Sequence, residues 1–139
     1  MHHREVTGER EFLCRPQHGE EWLAELEAFA AAEDVASAWV VGFGAVEDAT
    51  VRYYDQDEFA FRSVDFDEPL SMPAFVGNVT RADGDPTAEG GVVLSRRSGQ
   101  ALAGRLDRAT VFAGELRVRS FEESLERERD DLTDLDLWL

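Results

Sequence analysis

Polar and apolar positions alternate with two different periods along this chain, and the periods divide it into elements. In "HGEEWLAELEAFAAAED", Trp22, Leu23, Leu26, Phe29 and Ala30 recur at i, i+1, i+4, i+7 and i+8, which places them on one face of a helix. Glu20 and Glu21 fall in its first turn, where the helix dipole favours carboxylates. Elsewhere the period is two. "VTGEREFLCRP" reads as a first strand and "VASAWVVGFGAVED" as a central one, with Gly42 and Gly44 marking a bulge or a close backbone approach. "ATVRYYDQDEFAFRSVDF" reads as a hairpin around Asp-Gln-Asp. In "EPLSMPAFVGNVT", Leu70, Met72, Ala74 and Val76 alternate, and Pro69 and Pro73 favour an edge or a bulge. "ADGDP" is a turn, "GVVLS" a buried strand entered past Glu89, Gly90 and Gly91, and "RRSGQ" a second turn.

"ALAG" and "TVFAGELRVRSF" supply further strand, with Leu116 and Val118 facing in and Arg117 and Arg119 facing out. The tail from Ser120 is expected to begin as a short helical turn, with Glu123–Arg127 as an i, i+4 pair on a solvated face, and to end as a strand through Leu135, Leu137 and Leu139. Trp138 and Leu139 are apolar at the chain end, as packing on a neighbouring subunit would require. The expected fold is α+β: a mostly antiparallel sheet with one main helix and a short C-terminal helical turn, in a single domain over residues 1–139.

Composition then narrows function. The chain has 139 residues, 43% of them hydrophobic, enough for a core. Its charge is −16, from 14 basic and 30 acidic residues, and the basic residues are all arginine. Such a surface repels nucleic acid, whose non-specific affinity comes from cation–phosphate contacts. It suits a salt-rich cytoplasm, where carboxylates stay hydrated and their repulsion is screened. No apolar run is long enough for a membrane span, and the N-terminus lacks a signal-peptide core, so the expected location is cytoplasmic, without membrane contact. The one cysteine, Cys14, reads as a small packed hydrophobe. "GFGAVE" lacks the lysine and the helix of a phosphate loop. No serine has a neighbouring histidine for activation, so no catalytic residue is expected. His2, His3 and His18 lie in segments away from the glycine-rich strand.

Four stretches in order, "GEEWLAELEAFAAAEDVASAWVVGFGAV", "VGNVTRADGDP", "SGQALAG" and "LERERDDLTDLDL", resemble the plants-and-prokaryotes conserved (PPC) domain family. That resemblance implies an antiparallel sheet with flanking helices, a homotrimer, and a role in DNA binding or regulation. It also implies a site. Relatives carry His-x-His at the start of the strand after the Asp-Gly turn and a third histidine further on, a zinc set with an open fourth position. Here Glu89, Gly91 and Arg105 stand at those three positions. The expectation is that no metal or other cofactor is bound and that Glu89 and Arg105 form an ion pair in the vacated place, or that Arg105 is free for an anion. Asn78 and Glu115, at family positions beside the pocket, complete the candidate ligand-binding set. For each a blander reading stands: strand-end chemistry for Asn78, a solvated strand residue for Glu115. Two functions are weighed: a trimeric DNA-binding, regulatory or scaffold module with a degenerate site, whose partner is DNA or a protein, and a small-molecule-binding protein or enzyme that uses a cleft between subunits.

Overall fold

The structure is a computed structural model in which residues 1–138 are described. The elements run β1 (Gly8–Cys14), α1 (Trp22–Ala32), β2 (Ala38–Asp55), β3 (Ala60–Phe66), β4 (Leu70–Ala82), β5 (Asp85–Ser95), β6 (Ala101–Phe121), β7 (Arg127–Asp130) and β8 (Leu135–Trp138). One α-helix among the described residues and a mostly antiparallel sheet make this an α+β fold. No helix of the described residues is long and apolar enough to cross a membrane.

Six strands pair in the order β1-β6-β5-β4-β2-β3, and β6 pairs β2 as well. The pairings β2–β4–β5–β6–β2 therefore close a ring around the core. Val40, Val46, Met72, Phe75, Val79, Leu94, Leu106, Val111 and Val118 fill it and are buried. Helix α1 packs against β5, β6 and β4. Its Trp22, Leu26 and Ala30 are buried, Leu23 and Phe29 partly so, as the helical spacing requires. Trp22 lies 5.9 Å from the Phe75 ring, centroid to centroid. Only glycine fits at position 114 beneath it, since a Cβ there would meet the indole at 2.7 Å. Glu21 is the N-cap rather than a first-turn residue: its side chain accepts from Ala24 N–H at 2.7 Å.

Three sequence expectations change. The two sequence strands "VASAWVVGFGAVED" and "ATVRYYD" are one 18-residue strand, and β6 is continuous over 21 residues. The expected bulge at Gly42 and Gly44 is present in the β2–β4 pairing, and on β4 the register shifts around Pro73. That shift breaks the alternation from Leu70 to Val76: Leu70 and Met72 are buried, but beyond the bulge Phe75 is buried and Val76 exposed. The tail from Ser120 does not begin as a helical turn: among the described residues its one i, i+4 turn, Asp134 N–H to the Asp130 carbonyl at 2.8 Å, comes later, between two short strands. Residues 127–130 and 135–138 form a hairpin of their own, and Glu123, instead of pairing with Arg127, accepts from Thr7 N–H at 2.9 Å. Leu139 lies outside the described residues. Trp138 packs within its own chain, 6.2 Å from Trp39 and 6.5 Å from Phe121 between ring centroids.

Candidate functional site

The site begins at a tight turn. Asp83 and Gly84 join β4 to β5 with φ of 52° and 92°, the two left-handed positions of a two-residue hairpin. That turn fixes the register, so Asn78 stands opposite Glu89 and Val76 opposite Gly91. On the other side of β5, Gly91 stands opposite Arg105. Residues two apart on a strand share a face. Glu89 and Gly91 thus point the same way, outward from the ring, toward Arg105. Glu89 is in the middle of a strand that starts at Asp85, not at its mouth.

The Arg105 guanidinium donates through Nη2 to Glu89 Oε2 at 2.5 Å. Their side chains are 29% and 26% exposed. A residue outside the candidate set completes the cluster. Arg127, from β7, lies 3.2 Å from the same Glu89 oxygen, donates to Asn78 Oδ1 at 2.5 Å and donates through Nη1 to the Asp136 carbonyl at 3.0 Å. It is the best covered of the group, at 13% side-chain exposure. Burial holds its pKa below the ordinary arginine value; Glu89 opposes that shift and Arg105 adds to it. Two guanidiniums converge on one carboxylate oxygen, with an amide as the second anchor.

A third guanidinium adjoins them. Arg52 is the cross-strand partner of Arg105, a like-charge juxtaposition that costs stability unless compensated. Asp107 compensates Arg52 at 3.0 Å, and both guanidiniums lie over the Phe61 ring, 4.9 and 5.5 Å from its centroid. The β7–β8 hairpin covers the cluster from outside, tied down at Arg127, at Trp138 and where the Tyr54 hydroxyl donates to the Thr133 carbonyl at 2.5 Å. Two clefts remain on either side of Glu89. One of about 260 Å³ is lined by Arg52, Arg105 and Arg129 and by Glu89, Asp134 and Asp136, beside Phe61. The other, about 470 Å³, is lined by Thr80, Arg81, Thr87 and Arg127.

The arrangement does not fit a metal ion. Among the described residues no group of three His, Cys, Asp or Glu side chains could hold one. A cation placed beside Glu89 would face Arg105 and Arg127, which already occupy the oxygen it would need. His18 is elsewhere, with Nδ1 2.9 Å from the Phe112 carbonyl and Nε2 3.7 Å from Glu47.

Of the four candidate residues, three converge and one does not. Asn78, Glu89 and Arg105 share the cluster. Asn78 is a mid-strand residue that accepts from Arg127, not a turn residue. Glu115 is ten positions along β6 from Arg105, roughly 30 Å of strand, and stands opposite Phe43. It lines a separate groove with Leu13, Arg15 and Phe43. Cys14 is half-buried in the same groove; burial, and then Glu33, raise its thiol pKa, as for a packing residue. The missed residue, Arg127, sits in a charge-rich run that imitates an exposed helix. The signal that marks it is Asp-Leu-Thr-Asp between two short alternating segments, a turn in which Asp130 Oδ2 accepts from Thr133 N–H at 3.0 Å.

Comparison with known proteins identifies the fold and the family. Over its full length the chain is similar to a metal-containing protein from Archaeoglobus fulgidus, 32% identical, covering 99% of that chain with a TM-score of 0.94. It shares its fold with a plant- and prokaryote-conserved protein from Pyrococcus horikoshii, at 24% identity, 100% and 97% coverage and a TM-score of 0.92. It shares it also with a candidate DNA-binding protein from Bacteroides thetaiotaomicron, at 21% identity, 96% coverage of both chains and a TM-score of 0.86. No protein with a curated description matches the chain. Residues 3–122 match the model of the Plants and Prokaryotes Conserved domain, and the chain belongs to that family.

Proposed function

We propose that this PPC-domain chain is a homotrimeric regulatory or scaffold module whose site is held by an ion-pair network in place of a metal. The observation that carries the reading is the convergence of Arg105 and Arg127 on Glu89 Oε2. A bound cation and two guanidiniums are alternative ways to neutralise a carboxylate in a half-buried place, and here the guanidiniums are built in. The Archaeoglobus relative is a metal-containing protein; at the positions where the family resemblance implies histidines, this chain has Glu89, Gly91 and Arg105.

The Bacteroides relative's description as a candidate DNA-binding protein supports a regulatory role near DNA. Direct contact through phosphates is opposed by the net charge of −16, so binding through a protein partner is the favoured form. A second reading, a small-molecule site, is favoured by one observation: three arginines, Arg52, Arg105 and Arg129, line the 260 Å³ cleft beside Phe61. Glu89, Asp134 and Asp136 share that lining and pair with Arg105 and Arg129, so a small carboxylate would have to displace one of them.

Elemental analysis of protein dialysed against zinc, with its mass in solution, tests the main reading. The expected result is substoichiometric zinc and a mass of three chains. Zinc bound at one per chain overturns the metal-free site. A titration with duplex DNA across salt concentrations separates direct contact from scaffolding, and a thermal-shift series with small carboxylates tests the second reading.

A further inference from the structure

Among the described residues, four that are not glycine hold a positive φ: Asp34, Asp83, Asp134 and Phe59. Aspartate tolerates that region, because its short side chain can hydrogen-bond locally; a bulky ring does not. Phe59, at φ 51°, closes the turn between β2 and β3, where glycine or asparagine would sit at lower cost. Its ring is 52% exposed, so core packing does not explain its place. Strain of this kind collects at ligand clamps. Phe59 lines the 260 Å³ cleft beside Arg105, together with Tyr54 and Phe61. The Tyr54 and Phe61 rings are 5.0 Å apart between centroids, and the Arg52 and Arg105 guanidiniums lie over Phe61 at 4.9 and 5.5 Å. The cleft thus has aromatic and guanidinium walls.

We propose that this cleft binds a neutral planar heterocycle of nucleobase type, with guanine as the base whose edges match it. The proposal rests on the small-molecule reading of the cleft and names its ligand class. Charge excludes ions. Three guanidiniums and three carboxylates line the cleft. Glu89 holds Arg105, Asp134 and Asp136 hold Arg129, and Asp107 holds Arg52 from outside the lining. An anion would have to displace a carboxylate, and a cation a guanidinium. A neutral ring displaces neither. A guanidinium carries more N–H donors, and an ionised carboxylate more acceptor sites, than one ion pair uses, so the paired groups still have hydrogen bonds to offer.

Shape and hydrogen bonding choose the ligand. At about 260 Å³ the cleft lies below the roughly 300–1,000 Å³ of sites for drug-sized ligands, so it admits one ring system. Aromatic rings and guanidinium planes are surfaces on which a flat ring stacks. Guanine presents its O6 and N7 acceptors on one edge, which suit arginine, and N–H donors on the other, which suit a carboxylate. Arg105 and Arg129 offer the first kind of partner, Asp134 and Asp136 the second. The hairpin wall of the cleft is fixed before a ligand arrives. Tyr54 O–H donates to the Thr133 carbonyl at 2.5 Å and Asp134 N–H to the Asp130 carbonyl at 2.8 Å, so little ordering is left for binding to bring about. The net charge of −16 opposes a phosphate, which favours the free base or nucleoside over a nucleotide or a nucleic-acid strand.

The test is a proton–nitrogen NMR titration of the full chain with guanosine, and with inosine, ribose, inorganic phosphate, guanosine monophosphate and a guanine-containing single-stranded oligonucleotide as comparison probes. Guanosine should shift the Nε–H signals of Arg52, Arg105 and Arg129 saturably. Inosine, which lacks the amino group, should bind more weakly, as should the monophosphate and the oligonucleotide, and ribose and phosphate should leave the signals in place. F59G relieves the backbone strain, so its urea midpoint should not fall, while its affinity for guanosine drops about tenfold or more. A lower urea midpoint with unchanged affinity makes Phe59 a packing residue and overturns the clamp. Ribose or phosphate acting as guanosine does overturns the heterocycle, and inosine binding equally well overturns the choice of guanine. Tighter binding of the monophosphate or the oligonucleotide overturns the preference for a neutral free ligand. Guanosine binding that spares the three arginine signals and survives F59G overturns this cleft and leaves the small-molecule reading intact. If neither guanosine nor any small carboxylate shifts a signal, the small-molecule reading itself falls.

Discussion

The two ends of one sheet face are finished in opposite ways. Around Glu89 the chain covers its own surface: the β7–β8 hairpin folds back, and Arg127, Asn78 and Arg105 meet every charge with a partner. Around Val41 and Phe43 none of the described residues covers it, and Leu13, Phe43 and Val76 face outward. The strands are the same and so is the alternation of side chains. What differs is whether a polar group had to be satisfied. A half-buried carboxylate demands neighbours from its own chain, because leaving it alone is costly before any partner arrives. An apolar patch makes no such demand and can wait for a partner.

The sharpest way to break this comparison is to turn the covered end back into a metal site. A Cβ at Gly91 would meet nothing nearer than the Gly104 carbonyl oxygen at 3.9 Å, so a side chain fits there. Glu89, Gly91 and Arg105 lie on one face in adjacent positions. The triple variant E89H/G91H/R105H should therefore bind zinc stoichiometrically by elemental analysis. At zinc a thousandfold above its Kd the gain in stability would be about 4 kcal/mol. The wild type should show neither effect. A folded triple variant without zinc would mean that the shape of the cradle has been lost along with its ligands.

The next effect concerns the network as it stands. E89A strands two guanidiniums, whereas R105A leaves Glu89 with Arg127. Removing one member of a fully buried pair costs about 3–5 kcal/mol; for this quarter-exposed cluster we expect about 2–3 kcal/mol for E89A and about 1 kcal/mol for R105A. Urea denaturation at neutral pH measures both. Equal effects of the two would show that Arg127 does not share the load.

The sequence made one kind of feature legible and concealed another. The helix face from Trp22 to Ala30 and the Asp83–Gly84 turn could be read because each depends on local spacing, whereas the Glu89–Arg105 pair is reached only through the family resemblance, since spacing does not set the β5–β6 register. Arg127 could not be read. Its run of Glu and Arg has high helix propensity and ideal i, i+4 spacing, and the segment becomes a strand only because β8 returns to pair with it and Glu89 holds its guanidinium. Tertiary pairing overrides propensity there. Position 115 misled in the opposite sense: Glu115 sits on the correct strand and, as an outward residue, on the correct face. A 21-residue strand is long enough for two residues on the same face to serve separate sites.

The hairpin itself supplies a milder test. Truncating Trp138 to alanine removes its contacts with Trp39 and Phe121 but touches no residue of the ring core. We expect a loss of about 1–2 kcal/mol, below the 3–5 kcal/mol of a fully buried tryptophan, and confined to the hairpin. Hydrogen exchange should accelerate at Arg127–Asp130 and Leu135–Asp136 while Val40 and Val118 stay protected. Uniform acceleration would make the hairpin part of one cooperative unit with the ring.

The smallest expected effect lies where the covered end begins, at Glu123. Its carboxylate accepts from Thr7 N–H, 2.9 Å through Oε2 and 3.1 Å through Oε1, and ties the start of the chain to the segment that leads into the hairpin. That bond, first among the causes, holds the Glu123 carboxyl below its ordinary range. A carboxyl with a lowered folded pKa stabilises the protein above its unfolded pKa, about 4.3, and the contribution is lost as pH falls through the lower folded value. E123A should therefore lower the urea midpoint slightly at about pH 7, and the gap to the wild type should close as pH falls below the unfolded value and the folded carboxyl becomes protonated. A gap that stays constant across this range would mean that the side chain acts by packing and not by charge. The tie would then belong with the apolar half of the comparison, since its strength would not depend on a charge being satisfied.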